Sequence, residues 1–304
     1  MAVKGRILRI ERSSNKDGHG LRTVVFFKGC PLSCEWCSTP ESQSVYFEVG
    51  FVRSLCRFCR QCESVCPEGQ ILCDAERGTI SSGGGCSGCR RCVQICQHDA
   101  VRLYGRDFSS DELVEEIARD DIFFHHGGGV TLSGGEVLMQ PEFALAVLKG
   151  SADLGIDRTI ETCAFAEWRT IRPLLDYLPN IFIDLKMMDA QKHLRYTGAE
   201  NKIILENIRK IDAAGTTNIT LRVPFVPTVN DNVENYEAMA EFCSGLKNLS
   251  VVEVLPYHRL GIETYKNLGR PVPFPELTPP SRSDMENKIY PLEKLNGVQL
   301  KIAY

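Results

Sequence analysis

The chain has 304 residues, 43% hydrophobic and 24% charged, which suits one large α/β domain, or two smaller ones, with an ordinary core. Its 35 Lys and Arg against 39 Asp and Glu leave a net charge of -4, which speaks against a nucleic-acid surface. No apolar run is long enough to span a bilayer and no signal-peptide core follows Met1 to Arg6, so a cytoplasmic protein with no membrane partner is expected.

Cysteine is the outlier, at 14 residues. Twelve lie between Cys30 and Cys96, and all but Cys73 fall in short, regular spacings. A disulfide framework needs an oxidising compartment, which nothing here targets, so the spacing points to metal or cluster ligation.

In chain order, Arg22-Thr23-Val24-Val25-Phe26-Phe27 reads as a buried strand. Residues 50–104 then turn rich in Cys, Gly and Arg with little apolar periodicity. They read as a small insert whose core is metal clusters rather than side chains. Ser109 and Glu112 have capping-box spacing ahead of Leu113, Val114 and Ile117. Strands and helices alternate from there. Val130-Thr131-Leu132 leads into Ser133-Gly134-Gly135-Glu136, and a helix follows Pro141. Arg158-Thr159-Ile160 leads into Glu161, and Trp168, Ile171, Leu174, Leu175 and Leu178 suit the next helix. Ile181-Phe182-Ile183-Asp184-Leu185 reads as a continuous apolar strand. Ile203, Ile204, Ile208 and Ile211 suit a helix, and residues 219–223 and 251–255 give two more strands. Pro271 to Pro280 reads as a surface loop before a last helix and a strand at 298–302.

This alternation predicts a parallel sheet with crossover helices. Continuous apolar strands fit a sheet covered on both faces or closed as a barrel. Glu136, Glu161, Asp184, Lys186, Arg222 and His258 recur at or after strand C-termini, where an α/β barrel keeps its active site.

Cys30, Cys34 and Cys37 form C-x3-C-x2-C. Three thiolates hold three irons of a [4Fe–4S] cluster and leave the fourth open to a chelating molecule, whereas protein-held clusters ordinarily use four cysteines. The alternatives are half of a zinc site, or a cluster closed by Cys163 or Cys243. Cys56, Cys59, Cys62 and Cys66-Pro67 form C-x2-C-x2-C-x3-C-P, and Cys86, Cys89, Cys92 and Cys96 repeat the spacing with Gln97 in place of Pro. In this bacterial-ferredoxin pattern the fourth Cys of each run ligates the other cluster. One cluster then uses Cys56, Cys59, Cys62 and Cys96, the other Cys86, Cys89, Cys92 and Cys66. A pair of zinc knuckles is the alternative. Cys73, Cys163 and Cys243 read as ordinary small residues.

Residues 17–43, from Asp17-Gly18-His19-Gly20-Leu21-Arg22 through the Cys30 triplet, closely resemble the cluster-binding segment of radical S-adenosylmethionine enzymes. The likeness is strongest to the activating enzymes of glycyl radical enzymes, and it runs in order and spacing over nearly the whole chain. It implies a partial (β/α)6 TIM-like barrel at 1–49 and 105–304, with the bacterial-ferredoxin-like domain inserted at 50–104. It implies three [4Fe–4S] clusters, one of them at Cys30, Cys34 and Cys37 with S-adenosylmethionine on the open iron and Trp36 beside it. Gly134, Gly135 and Glu136 match the stretch that holds the methionine amino group. Glu161 and Thr162 match a monovalent-cation site, Asp184 and Lys186 an Asp-x-Lys whose lysine takes the carboxylate, and Arg222 and His258 the residues that complete the pocket. His19, Val137 and Thr39 stand where Pro, Pro and Asn are commoner in that family.

The expected reaction is reductive cleavage of S-adenosylmethionine to a 5′-deoxyadenosyl radical that takes a glycine Cα hydrogen from a glycyl radical enzyme. A flavodoxin or ferredoxin type donor is the expected electron source. The rivals are a radical enzyme acting on a small molecule or another peptide, and a non-catalytic iron–sulfur electron carrier. Asp17, Gly18 and Arg22 read equally as holders of the partner's glycine loop or, for Arg22, as a salt-bridged strand-end residue. His98, His125 and His126 read as loop residues, Gly127 to Gly129 as a turn, and Arg90-Arg91 as a solvated face.

Overall fold

The computed structural model describes residues 2–74, 76 and 79–303; positions 75, 77 and 78 of the expected insert, with Met1 and Tyr304, lie outside them. The strands are β1 (Lys4–Ser14), β2 (Arg22–Phe27), β3 (Glu48–Phe51), β4 (Ile71–Asp74), β5 (Thr79–Ser82), β6 (Val101–Tyr104), β7 (Arg106–Ser109), β8 (Gly129–Gly134), β9 (Asp157–Thr162), β10 (Asn180–Asp184), β11 (Asn218–Phe225), β12 (Leu249–Pro256) and β13 (Gln299–Ile302). Nine form one sheet in the order β13-β12-β11-β10-β9-β8-β2-β1-β7. Every neighbouring pair from β2 to β13 is parallel, and β1 and β7 close the other edge antiparallel. Helices Pro141–Asp153, Trp168–Leu175, Lys202–Ala214 and Val233–Ser244 lie in the connections between successive parallel strands from β8 to β12, as parallel pairing requires. The capping box forms as expected, with Ser109 and Glu112 satisfying each other's backbone N–H.

Register decides what each face carries. Val25, Leu132, Ile160, Ile181, Ile183, Leu221, Val223, Val252 and Val254 are at most 1% exposed and share a core with Phe143, Val147, Ile171, Ile208 and Met239 of the helices. The opposite face is polar. Phe26 is aligned with Ser133, Phe182 with Glu161, Asp184 with Arg222, and Arg222 with Glu253. The reading of Ile181 to Leu185 as a continuous apolar strand is therefore corrected. Side chains alternate along a strand, and the inward positions hold charge. Phe182, which made β10 look continuously apolar, points to that polar face and carries the Arg222 guanidinium 4.1 Å over its ring.

Between β2 and β7 the chain leaves the sheet. β3 pairs with β6 and β4 with β5. Two short helices, Gln61–Ser64 and Arg91–Ile95, each begin after an arginine with left-handed backbone, Arg60 and Arg90. The core here is small and separate, made of Val49, Phe51, Cys62, Ile71, Cys92 and Val101. It joins the sheet through an ionic knot. Lys28, with no side-chain exposure, donates to Glu48 at 2.8 Å and to the Glu41 carbonyl at 2.6 Å. Arg270 donates to the same Glu48 and, at 2.7 Å, to the Pro40 carbonyl. No helix among the described residues is long and apolar enough to cross a membrane.

Removing one partner of a buried pair leaves an uncompensated charge. Glu48→Ala is expected to cost about 3–5 kcal/mol by strandng Lys28 and Arg270 together. Chemical denaturation checks it; a loss under about 1 kcal/mol, the range of an exposed pair, would show that the knot carries no such strain.

Candidate functional site

The site begins where β2 ends. The chain turns into the Cys30 loop, whose backbone is tied on both sides: Gly29 N–H to the Ser42 carbonyl at 2.7 Å, Cys30 N–H to Gln43 at 3.0 Å, Ser33 N–H to Thr197 at 2.7 Å and Glu35 N–H to Tyr196 at 3.1 Å. The end of β8 presses against it. Gly135 N–H donates to the Phe27 carbonyl at 2.9 Å, and Glu136 N–H to Gly29 at 2.8 Å. A Cβ on Gly135 would lie 2.4 Å from the Gly29 oxygen and 2.7 Å from that of Ser42, and Gly134 has φ +111°. Only glycine fits such an approach and such a backbone.

These elements wall a cavity of about 1120 Å³, counting the part open to solvent. It is lined by Cys30, Cys34, Cys37 and Trp36 on the loop, Gly134 and Gly135 after β8, Glu161 and Thr162 on β9, Asp184 and Lys186 at β10, and His258 after β12. Eleven of the thirteen expected site residues outside the insert thus meet in one place. Burial pushes the Cys34 thiol up to about 12 and raises Cys30 and Cys37 as well. Three such thiols become thiolates when a cationic centre compensates them, so the donor set fits a metal cluster. Among the described residues no three Cys, His, Asp or Glu converge on one ion position. A cluster needs its thiolates more widely spread, one to each iron.

Lys186 and Asp184 pair at 2.8 Å. Burial would pull the lysine down, but Asp184 and Cys34 outweigh it, and the ammonium is held above its usual value. Glu161 is opposed by burial and rescued by Arg222 at 2.7 Å and by the Ser133 hydroxyl at 2.5 Å, so it sits below the usual carboxylate range. The cavity therefore offers a fixed cation, Lys186, and a fixed carboxylate, Glu161, beside backbone groups of two glycines.

Glu136 and Arg222 are placed differently from the expectation, since neither lines the cavity. Glu136 is 1% exposed and stands behind the wall, accepting from Leu138 N–H at 2.9 Å, the Thr162 hydroxyl at 2.7 Å and Cys163 N–H at 2.8 Å. It locks the β9 end to the glycine turn. Arg222 lies beneath the floor between Glu161 and Glu253 (2.8 Å), with Asp17 at 3.4 Å. Arg22 is buried against Asp157 at 2.5 Å, Thr131 at 3.1 Å and Thr159 at 3.2 Å, which is the strand-end reading rather than an exposed contact for a partner.

Cys163, read from the sequence as an ordinary small residue after being weighed as a fourth ligand, and Ser133 and Tyr257, given no role there, also line the cavity. Cys163 packs with Cys30 and Cys34. Its place directly after Glu161-Thr162 at a strand end was the available signal. Cys243 is in the main core on helix Val233–Ser244.

Between β2 and β7 a second cavity, of about 360 Å³ counting the part open to solvent, brings Cys56, Cys59 and Cys62 of the first run together with Cys96 of the second. Burial raises the Cys86 and Cys92 thiols, with Cys66 and Cys89 adding for Cys86, and Cys86, Cys89 and also Cys62 for Cys92, so the second run lies beside both Cys66 and Cys62. Cys73 is less inert than expected: it reaches Cys62, and its N–H donates to Glu63 at 3.1 Å.

Residues 24–243 match the family model of the radical SAM superfamily. The chain is 38% identical over 275 residues to the (2S)-3-sulfopropanediol dehydratase activating enzyme of Klebsiella oxytoca, covering 88% of this chain and 86% of that one. It is 37% identical over 289 residues to the choline trimethylamine-lyase activating enzyme of Oleidesulfovibrio alaskensis, with 93% of each chain covered. The crystal structure of Streptococcus suis SuiB bound to precursor peptide SuiA superposes with a TM-score of 0.56 at 12% identity, over 92% of this chain and 48% of that one, a likeness of fold alone.

Two variants test the geometry. Gly135→Ala drives a methyl into the Gly29 and Ser42 carbonyls, so the cysteine loop must move; iron retained per chain after anaerobic reconstitution is expected to fall, and parental iron content would refute the close approach. Arg222→Ala leaves Glu161 and Glu253 facing each other, and is expected to cost about 3–5 kcal/mol in denaturation, more than Arg222→Lys.

Proposed function

The chain belongs to the radical SAM superfamily and is an activating enzyme of the glycyl radical enzyme type, and on that premise we propose which of its residues do the work and how the chain is divided. Cys30, Cys34 and Cys37 hold a [4Fe–4S] cluster at the large cavity. When bound, that cluster and S-adenosylmethionine supply the chemistry: one electron breaks the S–C5′ bond, and the 5′-deoxyadenosyl radical takes the Cα hydrogen of a partner glycine.

The protein's contribution is orientation and exclusion. Lys186, held charged by Asp184, takes the carboxylate of the methionine moiety. The backbone at Gly134 and Gly135 receives its amino group, with Glu136 bracing that turn from behind. Glu161 and Thr162 form the site of a monovalent cation, Glu161 kept ionised by Arg222. Trp36 and His258 bound the cavity on the loop and β12 sides. The observation that carries this reading is the convergence of three half-buried thiols, a glycine turn and a paired lysine on one cavity.

We assign residues 1–49 and 105–304 to a partial (β/α)6 barrel and 50–104 to a ferredoxin-like insert with two further [4Fe–4S] clusters, fed by a flavodoxin or ferredoxin type donor. The crossed set Cys56, Cys59, Cys62 and Cys96 around one cavity supports this. A glycyl radical enzyme is the protein substrate and the cytoplasm the compartment.

Anaerobic incubation with S-adenosylmethionine, a reductant and a glycyl radical enzyme is expected to give a carbon-centred doublet in EPR. Methionine formation without a doublet for any such partner would instead favour a small-molecule or peptide substrate. Lys186→Met loses one charge-assisted contact, so the S-adenosylmethionine Kd is expected to rise about 10- to 100-fold; an unchanged Kd would remove Lys186 from the pocket.

A further inference from the structure

We propose that the end of the insert farthest from the large cavity is the docking surface of a small, acidic one-electron carrier protein. The proposal rests on the two-cluster reading above. It adds where the electron enters.

The two ends of the insert differ. β3 starts at Glu48, tied to Lys28, and runs outward to Phe51, which lines the Cys56, Cys59, Cys62 and Cys96 cavity together with Val101 of β6. The second cysteine run faces inward. Gly88, between Cys86 and Cys89, packs so closely on Phe47 that a Cβ would lie 2.6 Å from the ring. The Phe47 ring also carries the Arg6 guanidinium of β1 at 3.7 Å. Phe47 lies four residues after Gln43, whose carbonyl holds Cys30 N–H. Packed protein thus runs from the inner cysteines to the site loop.

The outer end is cationic. Arg57 and Arg60 line its cavity with His98, and no carboxylate does. Arg53 lies 4.0 Å over the ring of Phe58, another lining residue. Arg60 is paired with Glu63, whereas no carboxylate among the described residues pairs with Arg53 or Arg57. The inner run carries Arg90 and Arg91, both exposed, but there Glu68 stands by Cys66 and Cys86. Residues 50–104 carry seven Arg and no Lys against five acids, in a chain whose net charge is -4. An anionic partner is therefore steered to the insert rather than to the barrel. Each run exposes one cysteine, Cys59 and Cys89, and Cys59 is the one that lines this cavity with Arg57 and Arg60. The carrier gives up one electron and the cluster held by Cys56, Cys59, Cys62 and Cys96 accepts it, with no bond made or broken.

The test uses the intact, anaerobically reconstituted chain, with cluster bleaching followed by stopped flow. Reduced flavodoxin and, in parallel, a reduced acidic ferredoxin are the probes, and photoreduced deazaflavin is the neutral control. The double variant Arg53→Glu, Arg57→Glu is expected to be reduced by the carriers about tenfold more slowly at low salt, with the gap closing as salt screens the field. Reduction by deazaflavin should keep the parental rate, and Arg→Lys at both positions should keep the carrier rate. The proposal is overturned if the Glu variant, with parental iron content, is reduced by both carriers at the parental rate. A parent chain that holds no more iron than one cluster needs would sink the two-cluster reading itself, and this proposal with it.

Discussion

The site depends on two backbones meeting without side chains between them. Gly135 and Glu136 donate to the carbonyls of Phe27 and Gly29, 2.9 and 2.8 Å away. That contact sets the cysteine loop directly over the ends of β8 to β10. A single methyl group at Gly135 has no room, so the distance between three thiols and the strand-end charges is decided by a pair of hydrogen bonds and two absent Cβ atoms.

Beneath the cavity the polar face of the sheet is a connected lattice of charge. Arg222 serves Glu161 and Glu253 and rests on Phe182. Arg22 serves Asp157. Buried pairs of this kind add little net stability over an apolar core. Their effect here is on protonation: Glu161 stays ionised and Lys186 stays charged, each against the pull of burial. The apolar face carries the folding free energy, and the polar face is left for chemistry.

The insert follows a different economy. Among the described residues its apolar core comprises Phe51, Ile71 and Val101 with Val49 at its edge, besides Cys62 and Cys92, too few to hold about 55 residues on burial alone. Ligation at two sets of four cysteines supplies the missing cross-links in the proposed reading, and the Lys28, Glu48 and Arg270 knot fixes the insert on the sheet.

Much of this was legible in one dimension because grouped cysteines, turn glycines and strand-end acids occur at short fixed spacings. C-x3-C-x2-C, the paired ferredoxin-like runs, Ser133 to Glu136 and Asp184-Leu185-Lys186 are all local. The alternation of strand and helix told the sheet to be parallel. Burial of one strand face against the other was not legible, since Phe182 looks like core until register places it over a guanidinium. Nor could spacing say that Glu136 stands behind the wall, that Arg222 lies under the floor, or that Cys163 joins the cavity. Each of those depends on where a side chain points after elements far apart in the chain have packed. The sequence by itself determined which chemistry the chain carries; the tertiary structure decided which residues face that chemistry and which only hold the others in place, because facing is set by register and packing across more than a hundred residues of chain.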